Sequence, residues 1–332
     1  MRIRLGKEWL ISLIFLLFSL NAFATTLNET FYLMGTTVEV RMEDKGKSER
    51  QLRVVFGDLV AYLTTLSSLL DPYSHESEIS RINKAEAGEE VKVSFPVYSL
   101  LKDALEISRK TNGCFDITVM PLVRLWGFFK KERKTPPTDE EIEKVLPYVG
   151  YYLIDLTPGG SVVKRESEVE IDPSGIAKGF IVDKGIEFLK IRKIKSALIN
   201  AGGDLRVYGR RWRIGVAHPR FTDRILGIIT LREGAVATSG DYQKFWEYGG
   251  RKYHHILDPR TGYPADSRII SATVVSSECF RADALATALV VRGEKGLTWL
   301  DKGEEALLVK GEEVKLIMSS GMKKLFKEIK SP

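Results

Sequence analysis

The second half of the chain constrains the fold most, because its apolar residues come in short runs separated by glycine. "KSALINAGGDLRVYG" (195–209), "WRIGVAH" (212–218), "RILGIITLRE" (224–233) and "SATVVSS" (271–277) each read as a strand. Upstream, "FYLMGTTVEVRM" (Phe31 to Met42) alternates like another strand, and Tyr151–Leu156 and Glu168–Ile171 read as shorter ones. Helical apolar spacing runs over Glu49–Leu70, over "FPVYSLLKDALEISRKTNG" up to its Asn112-Gly113 stop, and from Ile176 to about Lys190. Strands and helices intermix without the regular alternation of a parallel doubly wound sheet. The pattern therefore predicts one α+β domain around a mixed or antiparallel sheet with packed helices. The charged stretch Lys130–Lys144 is expected to be an exposed excursion.

At 332 residues with 44% hydrophobic side chains, the chain can bury a substantial core. The N-terminus differs from the rest. Arg2, Arg4 and Lys7 precede an apolar run from Leu10 to Leu20, and Ala22-Phe23-Ala24 offers small residues to a signal peptidase. That run falls short of the about 20 residues of a membrane span, and no cysteine follows it to take a lipid anchor. Residues 1–24 thus read as a signal peptide and 25–332 as the domain, exported to the periplasm, or held at the inner membrane if the signal stays uncleaved. The only cysteines, Cys114 and Cys279, are too few for a disulfide framework or metal cluster and are expected as buried free thiols. Basic and acidic residues are interspersed despite a net charge of +6, which argues against a nucleic-acid partner.

Three constellations carry chemistry. In "RADALATALV" (Arg281 to Val290), Asp283 and Thr287 stand four residues apart on an otherwise apolar helix. They can present hard oxygens to one point, as Mg²⁺ requires, or Asp283 can cap the helix while Thr287 bonds back to a carbonyl. In "DPSGIAKGF" (Asp172 to Phe180), a strand-turn-helix with Gly175, Gly179 and Lys178 suits an anion. "HHILDPRTGYP" (His254 to Pro264) places two of the four histidines beside a tight turn containing Arg260. A serine-hydrolase reading of Ser239 in "TSGDY" is weak, because the sole S-x-x-K (Ser320 to Lys323) follows the K-T-G-like Arg260-Thr261-Gly262 instead of preceding it.

Together these segments resemble the ApbE family, the FAD:protein FMN transferases. "YLMGTTVEV", "LDPYSHESEISRIN", "GCFDITVMPLVRLWGF", "DPSGIAKGF", "LINAGGDLRVYG", "VATSGDY", "HHILDPRTGYP" and "ADALATAL" occur in the family's order across nearly the whole mature chain. The resemblance implies an exported, Mg²⁺-dependent enzyme that splits FAD, attaches FMN through a phosphoester to a Thr or Ser of an acceptor protein, and releases AMP. It assigns the metal to Asp283, Thr287 and the Gly175 carbonyl. This chain has Thr287 where some members carry a second Asp, one formal charge fewer. It assigns the FAD site to Met34, Tyr73, Cys114, Phe115, Asp116, Asp172, Lys178 and Ile256. His255 is expected to be the base, with Arg260 steadying the loop or the phosphates. The implied partners are FAD and a membrane redox subunit as acceptor. A periplasmic FAD carrier and an FAD pyrophosphatase are the competing readings.

Overall fold

The glycine-punctuated segments assemble into one eight-stranded sheet. Its strands are β1 (Thr25–Leu33), β2 (Thr36–Asp44), β3 (Ser196–Ala201), β4 (Asp204–Tyr208), β5 (Gly234–Gly240), β6 (Ile269–Ser276), β7 (Glu305–Lys310) and β8 (Lys315–Met318). They lie side by side in chain order, and every neighbouring pair is antiparallel. The computed structural model describes residues 24–329 apart from 129–132, 134, 222 and 243. The expected signal peptide lies outside the described residues up to Phe23, as does part of the Lys130–Lys144 excursion, whose later half is a helix at Asp139–Val145 started by a Thr138/Glu141 capping box.

Two expected strands prove to be hairpins. Phe31–Met42 is broken at Met34-Gly35, where both residues take positive φ (49° and 73°) and turn β1 into β2. Lys195–Gly209 is broken at Gly202-Gly203, again with positive φ at both. Such two-residue turns need left-handed backbone at both central positions, and alternation alone does not reveal them. Glu168–Ile171 is no strand. Its C-terminal end pairs with a side chain, since Asn83 Nδ2 donates to the Ile171 carbonyl (2.9 Å) and Ile171 N–H donates to Asn83 Oδ1 (2.7 Å). Tyr151–Leu153 is a 3₁₀ turn before a short strand at Ile154–Leu156.

The long insertion between β2 and β3 supplies α1 (Glu49–Leu70), α2 (Phe95–Lys110) and α3 (Ser174–Ile191), and the β6–β7 connection supplies α4 (Cys279–Arg292). α1 buries Leu52, Val55, Leu59, Leu63, Leu66 and Leu70 at helical spacing, each such side chain contributing roughly 1.5–3 kcal/mol. α1 is long and apolar enough to cross a membrane by length and composition, but this stripe faces the core. The helices cover one face of the sheet. The other face packs on a small sheet formed by Trp212–Ala217, Ile225–Leu231 and Phe326–Glu328. A strand covered on both faces has no polar side, which is why all eight residues of β6 are buried. Cys114 and Cys279 are buried free thiols.

Candidate active site

At one end of the sheet the β1–β2 turn, the β3–β4 turn and the end of β5 meet the start of α3 and one face of α4. Between them lies a cavity of about 610 Å³, a volume suited to an organic ligand. Its wall includes Met34, Tyr73, Cys114, Phe115, Asp116, Asp172, Gly175, Lys178, His255, Ile256, Asp283 and Thr287. These come from six separate stretches of sequence and include every expected site residue except Arg260.

Met34 reaches the wall from left-handed backbone (φ 49°). A non-glycine residue held there costs about 1–2 kcal/mol, the kind of strain found at ligand clamps. Asp116 is engaged internally: it caps the 3₁₀ turn Ile117–Val119 by accepting from Thr118 N–H (2.9 Å) and Oγ1 (2.7 Å), and it accepts from Tyr151 N–H (2.6 Å). Burial raises its carboxyl above the usual range. Asp172 is equally buried and raised, and it folds the α3 entry by accepting from Ser174 N–H at 2.9 Å.

The floor is a ladder of buried charge. Lys178 on α3 pairs with Asp204 at the start of β4. Two residues along β4, Arg206 Nη1 donates to Asp183 Oδ1 on α3 at 2.6 Å. Asp283 completes the set, its Oδ2 accepting Gly179 N–H at 3.2 Å. Three carboxyl groups thus share two bases, and Asp283 is the one with no direct ion pair of its own among the described residues. Burial and the Asp204 charge push the Asp283 carboxyl well above its ordinary value, against the pull of Lys178. Burial alone would lower the Lys178 ammonium, but Asp283 and Asp204 together hold it high.

A buried carboxyl without a direct ion pair fits a divalent cation, which would favour its ionised form. Among the described residues no three His, Cys, Asp or Glu side chains converge, so the donors are one carboxylate and neutral oxygens. Mg²⁺ accepts this set when water and phosphate complete its shell. A Cβ built on Gly175 would lie 3.8 Å from Thr287 Oγ1, so the Gly175 backbone adjoins the hydroxyl. A backbone carbonyl has two lone pairs, so the Gly175 oxygen keeps one for a cation beyond its helical bond. Asp283 is not a cap, and Thr287 does not bond back along its helix; its Oγ1 lies 3.1 Å from Ser239 Oγ. Ser239 sits in β5 instead of a glycine turn, and this contact with Thr287 leaves the hydrolase reading without a nucleophile–histidine pair.

His255 and His254 part company. His255 lines the cavity, and its Nδ1 lies 3.1 Å from the Lys244 carbonyl. A carbonyl only accepts, so Nδ1 carries the proton and Nε2 is the basic nitrogen. Burial, opposed by that bond, lowers the imidazole to about 4. His254 turns away, its Nε2 3.0 Å from the Ala265 carbonyl. Arg260 is not in the wall. Its Nε and Nη2 fork onto Asp258 at 2.8 and 2.7 Å, which closes the Asp258–Gly262 turn and favours the loop role over the phosphate role. Lys178 also departs from expectation, since its ammonium is engaged with Asp204 instead of standing free for an anion.

Sequence reasoning missed Asp204, Asp183, Ser239 as a neighbour of Thr287, and Lys244. The acid directly after Gly202-Gly203 was a signal for Asp204, and an Asp inside the apolar "GFIVDKGI" was one for Asp183. Nothing in the sequence marked Lys244.

A cleft with a buried acid, a helix hydroxyl and a histidine thus lies at the end of the antiparallel sheet, and similarity to known proteins says what class of protein carries it. The profile of the ApbE family matches residues 34–308, and the chain belongs to that family. It is 32% identical over 299 residues to the FAD:protein FMN transferase of Vibrio cholerae, covering 87% of this chain and 89% of that protein. It is 35% identical over 234 residues to the one of Klebsiella pneumoniae, covering 69% and 73%. The crystal structure of the ApbE protein of Thermotoga maritima superposes with a TM-score of 0.82 at 31% identity, over 92% of this chain and all of that one.

Proposed function

We propose that this chain, a flavin transferase by family, is a Mg²⁺-dependent FAD:protein FMN transferase that attaches FMN to a Thr or Ser hydroxyl of an acceptor protein and releases AMP. The relatives' names support flavin transfer. The observation that carries the mechanism is one cavity wall bearing both His255, with Nε2 as its basic nitrogen, and the buried carboxyl of Asp283, without an ion pair among the described residues.

The cavity binds FAD, with Met34 and Tyr73 offering apolar surface to its flat rings. Asp283, Thr287 and the Gly175 carbonyl would hold Mg²⁺, which neutralises charge developing on the pyrophosphate when bound. His255 Nε2 takes the proton from the acceptor hydroxyl as that oxygen attacks the FMN phosphorus, and AMP departs. An imidazole that stays neutral down to about pH 4 is available as a base throughout the physiological range. The acceptor is expected to be a membrane redox subunit. We read residues 1–24 as an export signal, which puts the reaction in the periplasm.

Intact mass of a candidate acceptor after incubation with enzyme, FAD and Mg²⁺ tests the proposal. Addition of one FMN at a Thr or Ser, with AMP released in step, is the expected result. AMP released at the same rate without acceptor, and no mass gain, would make the enzyme a pyrophosphatase.

A further inference from the structure

The residue that holds the metal-bearing helix in place is not on that helix. α4 begins at Cys279, and its own N-cap residue, Glu278, makes no side-chain capping bond. The open N–H groups are satisfied from α3: Asp183 Oδ1 accepts Cys279 N–H and Oδ2 accepts Phe280 N–H, both at 2.9 Å. Arg206 Nη1 fixes the same carboxylate at 2.6 Å from β4. Asp183 is 3% exposed, so this bridge is made out of water, where an unmatched carboxylate would be costly. One turn earlier on α3, Gly179 N–H reaches Asp283 Oδ2. α3 therefore grips α4 at two points a turn apart, and Gly175, one turn earlier again, stands against Thr287.

We propose that Asp183 is a positioning residue for the metal site: by capping α4 from α3, and being fixed by Arg206, it sets where Asp283 and Thr287 stand relative to the Gly175 carbonyl. An ordinary cap would stabilise a helix wherever it lay. This one ties the start of α4 to the helix that supplies the third metal oxygen, so the separation of the ligands depends on it. Asn is isosteric but must turn its NH₂ toward Phe280 N–H or toward both Cys279 N–H and Arg206, so Asp183→Asn loses at least one anchor while keeping the volume.

The inference rests on the Mg²⁺ reading above, and the test keeps the two apart. Mg²⁺ binding to the metal-stripped mature enzyme is measured by calorimetry, without turnover, beside thermal melts and FAD affinity in the absence of metal. Asp183→Asn is expected to bind Mg²⁺ about 10–100-fold more weakly, the usual effect of losing a partner behind a metal ligand, with metal-free FAD affinity unchanged. Ile229→Ala, in the small sheet on the face of the main sheet opposite α4, is expected to melt lower yet keep wild-type Mg²⁺ affinity. Should Asp183→Asn fail to fold, Arg206→Lys leaves both capping bonds in place and is expected to weaken Mg²⁺ several-fold. A folded Asp183→Asn with wild-type Mg²⁺ affinity and a lower melting temperature would reduce Asp183 to a stabilising cap and overturn the proposal, as would wild-type affinity in Arg206→Lys. A wild-type enzyme that binds no Mg²⁺ overturns the metal reading itself.

Discussion

Gly179→Ala probes the contact on which the site's geometry depends. A Cβ at Gly179 would lie 2.5 Å from the Cys279 carbonyl oxygen and 2.6 Å from both the Cys279 carbonyl carbon and Phe280 Cα. All three are backbone atoms, so no side chain can rotate away. Ordinary contacts lie at about 3.5–4 Å, so α3 and α4 must part by about 1 Å. Overpacking of this kind costs about 1–3 kcal/mol, and the better helix propensity of Ala returns about 1 kcal/mol. The net loss of stability is therefore only about 0–2 kcal/mol. Catalysis should suffer more, because Asp283 moves on α4 while Gly175 stays on α3, and a misplacement of about 1 Å can cost about 10²-fold. Single-turnover FMN transfer at varied Mg²⁺, with thermal melts of the same samples, should show a folded protein with a rate down about 100-fold. A folded variant with wild-type rate and Mg²⁺ midpoint would refute the argument that this contact sets the metal geometry.

Other expectations follow from the same site. His255→Ala should lose about 10²–10⁴-fold in transfer rate with FAD affinity unchanged, whereas His254→Ala should keep its rate; equal losses in the two would move the base elsewhere. Because burial lowers His255 to about 4, its protonation should stop transfer only as pH falls toward that value, not near 6.5; a His255-dependent rate limb near 6.5 in the pH profile would contradict this. Thr287→Asp should bind Mg²⁺ more tightly yet destabilise the metal-free protein, since a further carboxylate joins Asp283 and Asp204; a Mg²⁺-induced melting shift no larger than wild type would count against Thr287 as a ligand. Arg260→Ala should cost about 1 kcal/mol or less in stability, as its pair with Asp258 is partly exposed, and leave the single-turnover rate within about threefold; a much larger rate loss would restore Arg260 to the phosphates.

The fold was legible where the signal is local. Apolar periodicity located α1 and α2 to their ends, because caps and stop residues such as Asn112-Gly113 act within a turn of the helix they close. It failed at Met34-Gly35, where a methionine occupies a left-handed position that statistics give to Asn or Gly. Glu168–Ile171 failed for a different reason. The partner of Ile171 is the Asn83 side chain, 88 residues away, and no pattern within the segment records that. The strand order was also out of reach, since alternation says which residues face inward but not which strand lies beside which.

The site divides along the same line. Asp283 and Thr287 could be paired from sequence because a helix fixes the i, i+4 geometry in advance, and "DPSGIAKGF" could be placed at a helix start for a similar reason. What sequence could not supply was the charge balance. Asp283 read alone is as good a cap as a ligand, and only the structure reveals that the cap is Asp183, contributed by another helix. Once the cap is assigned to Asp183, Asp283 caps nothing on its own helix, and its backbone partner is Gly179 N–H on α3. It stands instead in a ladder whose two cations, Lys178 and Arg206, are already engaged with Asp204 and Asp183. Burying a third carboxylate there is unfavourable in the protein by itself, and the apolar packing of the rest of α4 offers no structural reason for it. The proposed cation would supply that reason, because it would give the ionised Asp283 carboxylate the partner that Lys178 and Arg206, engaged with Asp204 and Asp183, do not.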